Sequence, residues 1–123
     1  MRIFKSHDGY KTNFVDDNNI LVGFDSYSCC CESFGWYLSS VKDDVEGTDT
    51  NLQPEDVEGY QFVDEAPTVT TDPNTYEEGG KVEFRLTKGP EAAYLTLYNH
   101  HNGYYSHGFT LHKGEELVLD GCL

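Results

Sequence analysis

Apolar and polar side chains alternate most regularly in the last third of the chain. From Lys81 to Lys88, Val82, Phe84 and Leu86 fall on one side, with Glu83, Arg85 and Thr87 opposite. Ala93, Leu95 and Leu97 then alternate with Tyr94, Thr96 and Tyr98, and Tyr105, His107, Phe109 and Leu111 follow at the same period. A period of two is that of a strand with one face in the core. Lys88-Gly89-Pro90-Glu91 reads as one turn, and Asn99-His100-His101-Asn102-Gly103, with its Asn-Gly pair, as the next. These stretches predict a three-stranded antiparallel meander, with Leu117 to Leu119 as a last short strand.

The first 40 residues carry the same signal in shorter pieces. Ile3 and Phe4 open a brief strand, His7-Asp8-Gly9 turns, and Tyr10 to Val15 returns as a hairpin. After Asp16-Asp17-Asn18-Asn19, the run Ile20 to Phe24 is a further strand. Phe34, Trp36 and Leu38 form one buried face between Ser33 and Val41, with a short helix as the alternative. Pro54 to Val57 fits one helical turn, Tyr60 to Val63 a strand, and Thr70 to Asn74 a loop. The fold class expected is mostly β: one small domain over 1–123, an antiparallel curled sheet or sandwich of five to seven strands. It has at most one short helix and is centred on the C-terminal meander. Trp36, Phe84, Leu86, Leu95, Leu97, Phe109 and Leu111 are the expected core.

Composition changes the picture mainly through charge. The chain has 123 residues with 22 Asp or Glu against 8 Lys or Arg, a net charge of −14. Twelve of those acids lie in 43–80, which contains no Lys or Arg and reads as an acidic insertion within the single domain. Such a surface repels nucleic-acid phosphate and anionic lipid. It suits either simple solubility or docking on a basic protein surface. No apolar run approaches the roughly 20 residues of a membrane span. Nine Tyr, seven Phe and one Trp argue against global disorder. The residues from Met1 to His7 lack the apolar core of a secretory signal, and three of the four cysteines are consecutive, a poor disulfide framework. A reducing cytoplasm with free thiols is the expected setting.

Three groups of residues could carry chemistry or recognition. Cys29 and Cys31 would share a strand face and could hold zinc with His100, His101 or His107. The recurrent Cys-x-x-Cys spacing is missing, and buried cysteines otherwise behave as small hydrophobes. A cysteine nucleophile with a histidine base is the enzymatic version. The stretch His100, His101, Asn102, Tyr104, Tyr105 and His107 is rich in hydrogen-bonding groups and could grip a ligand, including a nucleotide. Asp43, Asp44, Glu46, Glu55, Asp56 and Glu58 could present an acidic docking face. The chain has no phosphate-binding loop, nucleophile elbow, His-Glu-x-x-His pair or calcium-loop pattern.

Two motifs taken together add a resemblance. Cys30-Cys31-Glu32-Ser33, an acidic middle, a strand at Val82 to Thr87, and Asn102-Gly103-Tyr104-Tyr105-Ser106 are similar to a family of small phage and bacterial proteins of unknown function. Members of that family carry an early Cys-Cys-Glu and a late Asn-Gly-Tyr-Tyr-Ser, and the likeness spans roughly residues 20 to 112. The extra Cys29 and the His100-His101 pair depart from the pattern. The resemblance implies a phage or mobile-element setting in a bacterial cytoplasm and no known activity. The expected function is a non-enzymatic binding protein, without a resident cofactor, that inhibits a host protein through its acidic surface. A small-molecule sponge and a zinc- or thiol-dependent enzyme are the alternatives.

Overall fold

The computed structural model describes residues 1–26, 34–45, 47–71, 80–99 and 108–123. Their strands are β1 (Arg2–Lys5), β2 (Lys11–Val15), β3 (Ile20–Asp25), β4 (Phe34–Ser39), β5 (Asn51–Leu52), β6 (Gln61–Phe62), β7 (Thr68–Thr71), β8 (Gly80–Lys88), β9 (Glu91–Asn99), β10 (Gly108–Lys113) and β11 (Glu116–Cys122). Pro54–Val57 forms one turn of 3-10 helix. All the pairings are antiparallel. The first sheet has the order β1-β2-β3-β10-β11. The second has the order β5-β4-β9-β8-β6, with β7 also pairing β8.

The alternating positions make two apolar faces, and the sheets bury them against each other. Phe14, Val22, Phe24, Phe109 and Leu111 come from the first sheet; Leu38, Val82, Phe84, Leu86, Leu95 and Leu97 from the second. Aromatic rings meet edge to face across the interface: Phe14 on Trp36 at 5.1 Å, Phe24 on Phe34 at 6.3 Å and Phe84 on Phe109 at 6.5 Å between centroids. Such pairs add about 0.5–1.5 kcal/mol each beyond the area they bury. Six of the seven expected core residues are buried. Trp36 is half-buried and packs against the core from its margin.

Several sequence expectations need correction. The strands number eleven among the described residues, more than the expected five to seven. The C-terminal meander is not one: β8 and β9 are a hairpin, but β10 lies in the other sheet between β3 and β11. Alternation specifies a face, not a neighbour, and in a two-sheet packing the inner faces of both sheets look alike from sequence. The Asn102-Gly103 turn lies outside the described residues. Thr68–Thr71 is a strand on β8 where a loop was expected at 70–74. The acidic segment, over its described residues, supplies β5, the 3-10 turn, β6 and β7, with Val57, Tyr60 and Phe62 buried, so it is part of the second sheet.

Two glycines make local geometry possible. Gly89 takes φ +60° and precedes Pro90, whose ring holds φ near −65°; that pair tightly joins β8 to β9. Gly121 lies opposite Phe109, and a Cβ there would sit 2.8 Å from the Phe109 ring, so the ring can lie over the neighbouring strand only above a glycine.

Polar clasps join the sheets at their margins. The buried Asp16 carboxylate accepts Asn18 N at 3.0 Å and Ile20 N at 2.9 Å through Oδ1 in the turn between β2 and β3. Its Oδ2 accepts Phe62 N on β6 at 2.9 Å. Asp17 and Gln61 exchange a second pair, Asp17 N to Oε1 at 2.9 Å and Nε2 to Asp17 Oδ2 at 3.3 Å. Asn99 Nδ2 donates to the Leu123 carbonyl at 3.0 Å, binding the end of the chain to the second sheet. Removing the Asp16 carboxylate leaves three amides without their acceptor. Asp16→Ala is therefore expected to cost about 2–4 kcal/mol in urea unfolding, with Asp16→Asn recovering part. A loss below about 0.5 kcal/mol, the scale of a neutral surface change, would contradict this role.

Candidate functional site

The acidic residues divide into those the fold consumes and those it displays. Asp44 belongs to the first group. Its carboxylate accepts Val45 N at 2.9 Å, Thr48 Oγ1 at 2.9 and 3.0 Å, Asn51 Nδ2 at 3.2 Å and the Thr50 hydroxyl. The Tyr37 hydroxyl donates to the Asp44 carbonyl at 2.5 Å, and Asp43 N donates to Glu83 Oε2 at 2.7 Å. These bonds fold the loop after β4 over the outer face of the second sheet. Asp44 is buried and saturated by its own loop, so the expectation that it faces a partner is corrected. The Thr50 hydroxyl first, then Thr48, the Val45 amide and Asn51, hold the Asp44 carboxyl below its ordinary value, against the opposing effect of burial. Burial raises the Tyr37 phenol. Asp43 is exposed and pairs with Lys81 at 3.5 Å.

Glu55 and Glu58 belong to the displayed group. Pro54 sits in the first position of the 3-10 turn, and Asp56 Oδ2 accepts Gln53 N at 2.8 Å, so Asp56 caps its own turn. Val57, fully buried, anchors the turn to the core and leaves Glu55 and Glu58 exposed on either side. The Tyr60 hydroxyl donates to Glu91 Oε2 at 3.1 Å; burial first, and then the Glu91 carboxylate, pushes its phenol up. Asp17, Glu55 and Glu58 line a groove of about 530 Å3 with Met1, Arg2 and Gly59. Sequence reasoning named Glu55 and Glu58 but not Asp17, which comes from the far sheet and is brought in by the Asp16 and Gln61 clasps.

A second depression lies on the outer face of the second sheet. Lys42, Glu65, Thr68, Glu83, Arg85 and Tyr94 surround about 220 Å3. Arg85 and Tyr94 are direct cross-strand partners, and Glu83 is buried on the floor. Among the described residues neither Lys42 nor Arg85 forms an ion pair with the carboxylates around it. This cavity is not legible in the sequence. The polar face of β8 was visible, but Lys42 and Glu65 reach it from separate loops.

The remaining expected site residues, Cys29, Cys31, Glu46, His100, His101, Asn102, Tyr104, Tyr105 and His107, lie outside the described residues. Among the described residues no group of three or more His, Cys, Asp or Glu is placed to hold a metal ion. No described helix is long and apolar enough to cross a membrane. No protein-family model, curated protein or solved structure matches the chain.

The depressed Asp44 carboxyl has a consequence for acid stability. A carboxyl held lower in the folded chain stabilises it at pH above the unfolded value near 3.8, and that contribution is lost as pH falls through the lower folded value. Thr50→Val, which removes the leading hydroxyl, is expected to raise the Asp44 carboxyl toward its ordinary value in an NMR titration. It should also narrow the stability gap between neutral and acidic pH in urea unfolding. An unchanged titration would contradict the assignment.

Proposed function

We propose that this protein is a small acidic binding module, carried by a phage or mobile element, that docks on a basic surface of a host protein and blocks it without chemistry of its own. The single observation that supports this best is the display of Glu55 and Glu58 on a core-anchored turn, beside Asp17, in a chain of net charge −14. A turn pinned by Val57 presents charge at low entropic cost, since the backbone that carries it is already ordered. The motif likeness at Cys30-Cys31-Glu32 and Asn102-Gly103-Tyr104-Tyr105-Ser106 supports the phage setting. A bacterial cytoplasm is the compartment in which such a partner would be met.

The reading is tested by retaining proteins from a bacterial extract on the immobilised chain. Specific partners are expected to be held at about 0.05 M salt and released at about 0.5 M, because screening shortens the reach of surface charge. Glu55→Lys with Glu58→Lys should abolish their retention at low salt. Identical retention by wild type and variant at both salts would refute the acidic dock.

The mixed-charge cavity favours a second reading, sequestration of a small zwitterion such as a free amino acid. Its cations and carboxylates stand apart around an open volume, with Tyr94 on one wall. Millimolar free amino acids are then expected to raise the melting temperature of the wild type, and Arg85→Ala to abolish that rise. No shift with any of the twenty would remove this reading.

A further inference from the structure

We propose that β11 is a strand-addition edge that pairs with an extended, Lys- or Arg-flanked apolar segment of a partner chain. This rests on the acidic-dock reading and adds a second, directional contact to it.

The sheet margins differ in how well they are protected. An exposed edge strand invites pairing with another chain, and natural proteins blunt edges with charged side chains (lysine above all), proline, brevity or bulges. β1, at one end of the first sheet, carries Arg2 and Lys5. At the margins of the second sheet, β5 and β6 are two residues long and β7 is four. Among the described residues β11 closes the other end of the first sheet with seven residues, Glu116 to Cys122, and has no Lys, Arg or Pro; its charges are acidic, and its one bulge leaves the four residues Leu119 to Cys122 in regular register. Leu117 is 51% exposed and Val118 46%.

Beside this edge lies an apolar groove of about 310 Å3, lined by Ile20, Val63, Pro67, Leu111, Val118 and Leu119. The register shift between Leu111 and His112 leaves Val118 without a partner across the β10–β11 pair, and Val118 lines the groove. The bulge thus adds an apolar wall beside the pairing edge, while Leu119 to Cys122 keep regular register with β10. Added strands bind through main-chain hydrogen bonds and place alternate side chains in such pockets.

Charge decides the occupant. Glu115, Glu116 and Asp120 are exposed along β11 and its turn, with Asp64 and Glu65 at the groove. Lys113, the cation there, is already paired with Asp64. Two copies of this chain joined through β11 would bring these acids together, and like charges facing across strands are destabilising. An incoming strand with basic residues flanking its apolar positions meets opposite charge.

The test uses the full chain, nitrogen-15 labelled, and a synthetic peptide of about ten residues, a usual strand length, alternating Val and Lys. Binding is expected to shift the amide signals of Glu116–Cys122 and slow their solvent exchange, while a peptide with proline at alternate Val positions does neither. Glu116→Lys with Asp120→Lys should weaken the peptide at least about tenfold, about 1.4 kcal/mol. The mapping is made on the wild type, so a misfolded variant does not decide it. Shifts confined to the Glu55–Glu58 groove would overturn the edge proposal and leave the acidic dock standing. No response to the peptide, or dimerisation through β11 that the peptide does not displace, would also overturn it.

Discussion

Over its described residues, the acid-rich segment is ordered because a few apolar and hydrogen-bonding side chains fasten it to a core made elsewhere. Val57, Tyr60 and Phe62 are buried within it, and the Asp16 carboxylate reaches across from the first sheet to the Phe62 amide. Without those anchors, a stretch with no Lys or Arg and many acids would repel itself and gain too little from burial to offset the entropy of ordering. With them, its described residues complete the second sheet, and the Glu55 and Glu58 carboxylates face solvent. The placement of Glu55, Glu58 and Asp17 follows from that fastening. So does the groove beside β11, one wall of which is formed by Val63 and Pro67.

The same economy explains why neighbouring acids have different roles. Asp16, Asp44 and Asp56 each accept nearby backbone amides and act as parts of turns. Short carboxylates suit this, since Asp reaches the amides a few residues along its own chain. Glu55 and Glu58, one methylene longer and on an exposed turn, have no such task among the described residues. Counting acids in 43–80 therefore overstates the charge available to a partner, since Asp44 and Asp56 are engaged within their own turns.

Much of the fold was legible in the sequence. Alternation at Val82-Phe84-Leu86 and Ala93-Leu95-Leu97 gave the β8–β9 hairpin and its inward face, and Gly89-Pro90 gave its turn. The Asp16 to Asn19 turn and the strand after it were equally plain. Sheet membership was not legible: Phe109 and Leu111 show the same period whether β10 joins β9 or β3. β7 was missed because Pro73 and Asn74 drew the whole stretch toward loop, although Thr68–Thr71 is rich in the β-branched residues strands favour. At the candidate site, Glu55 and Glu58 were named from local composition alone. Asp17, Glu65 and Arg85 were not, because their significance arises from contacts between segments far apart in sequence.

On this view the described part of the acidic segment is held as firmly as the sheets it completes. Native-state hydrogen exchange reads this residue by residue. The Phe62 amide, bonded to Asp16, and the Tyr60 amide, bonded to the Val57 carbonyl, are expected to exchange with protection close to that of β9. Exchange of both at the rate of an open chain, while β9 stays protected, would show the segment to be loosely attached and would contradict the account.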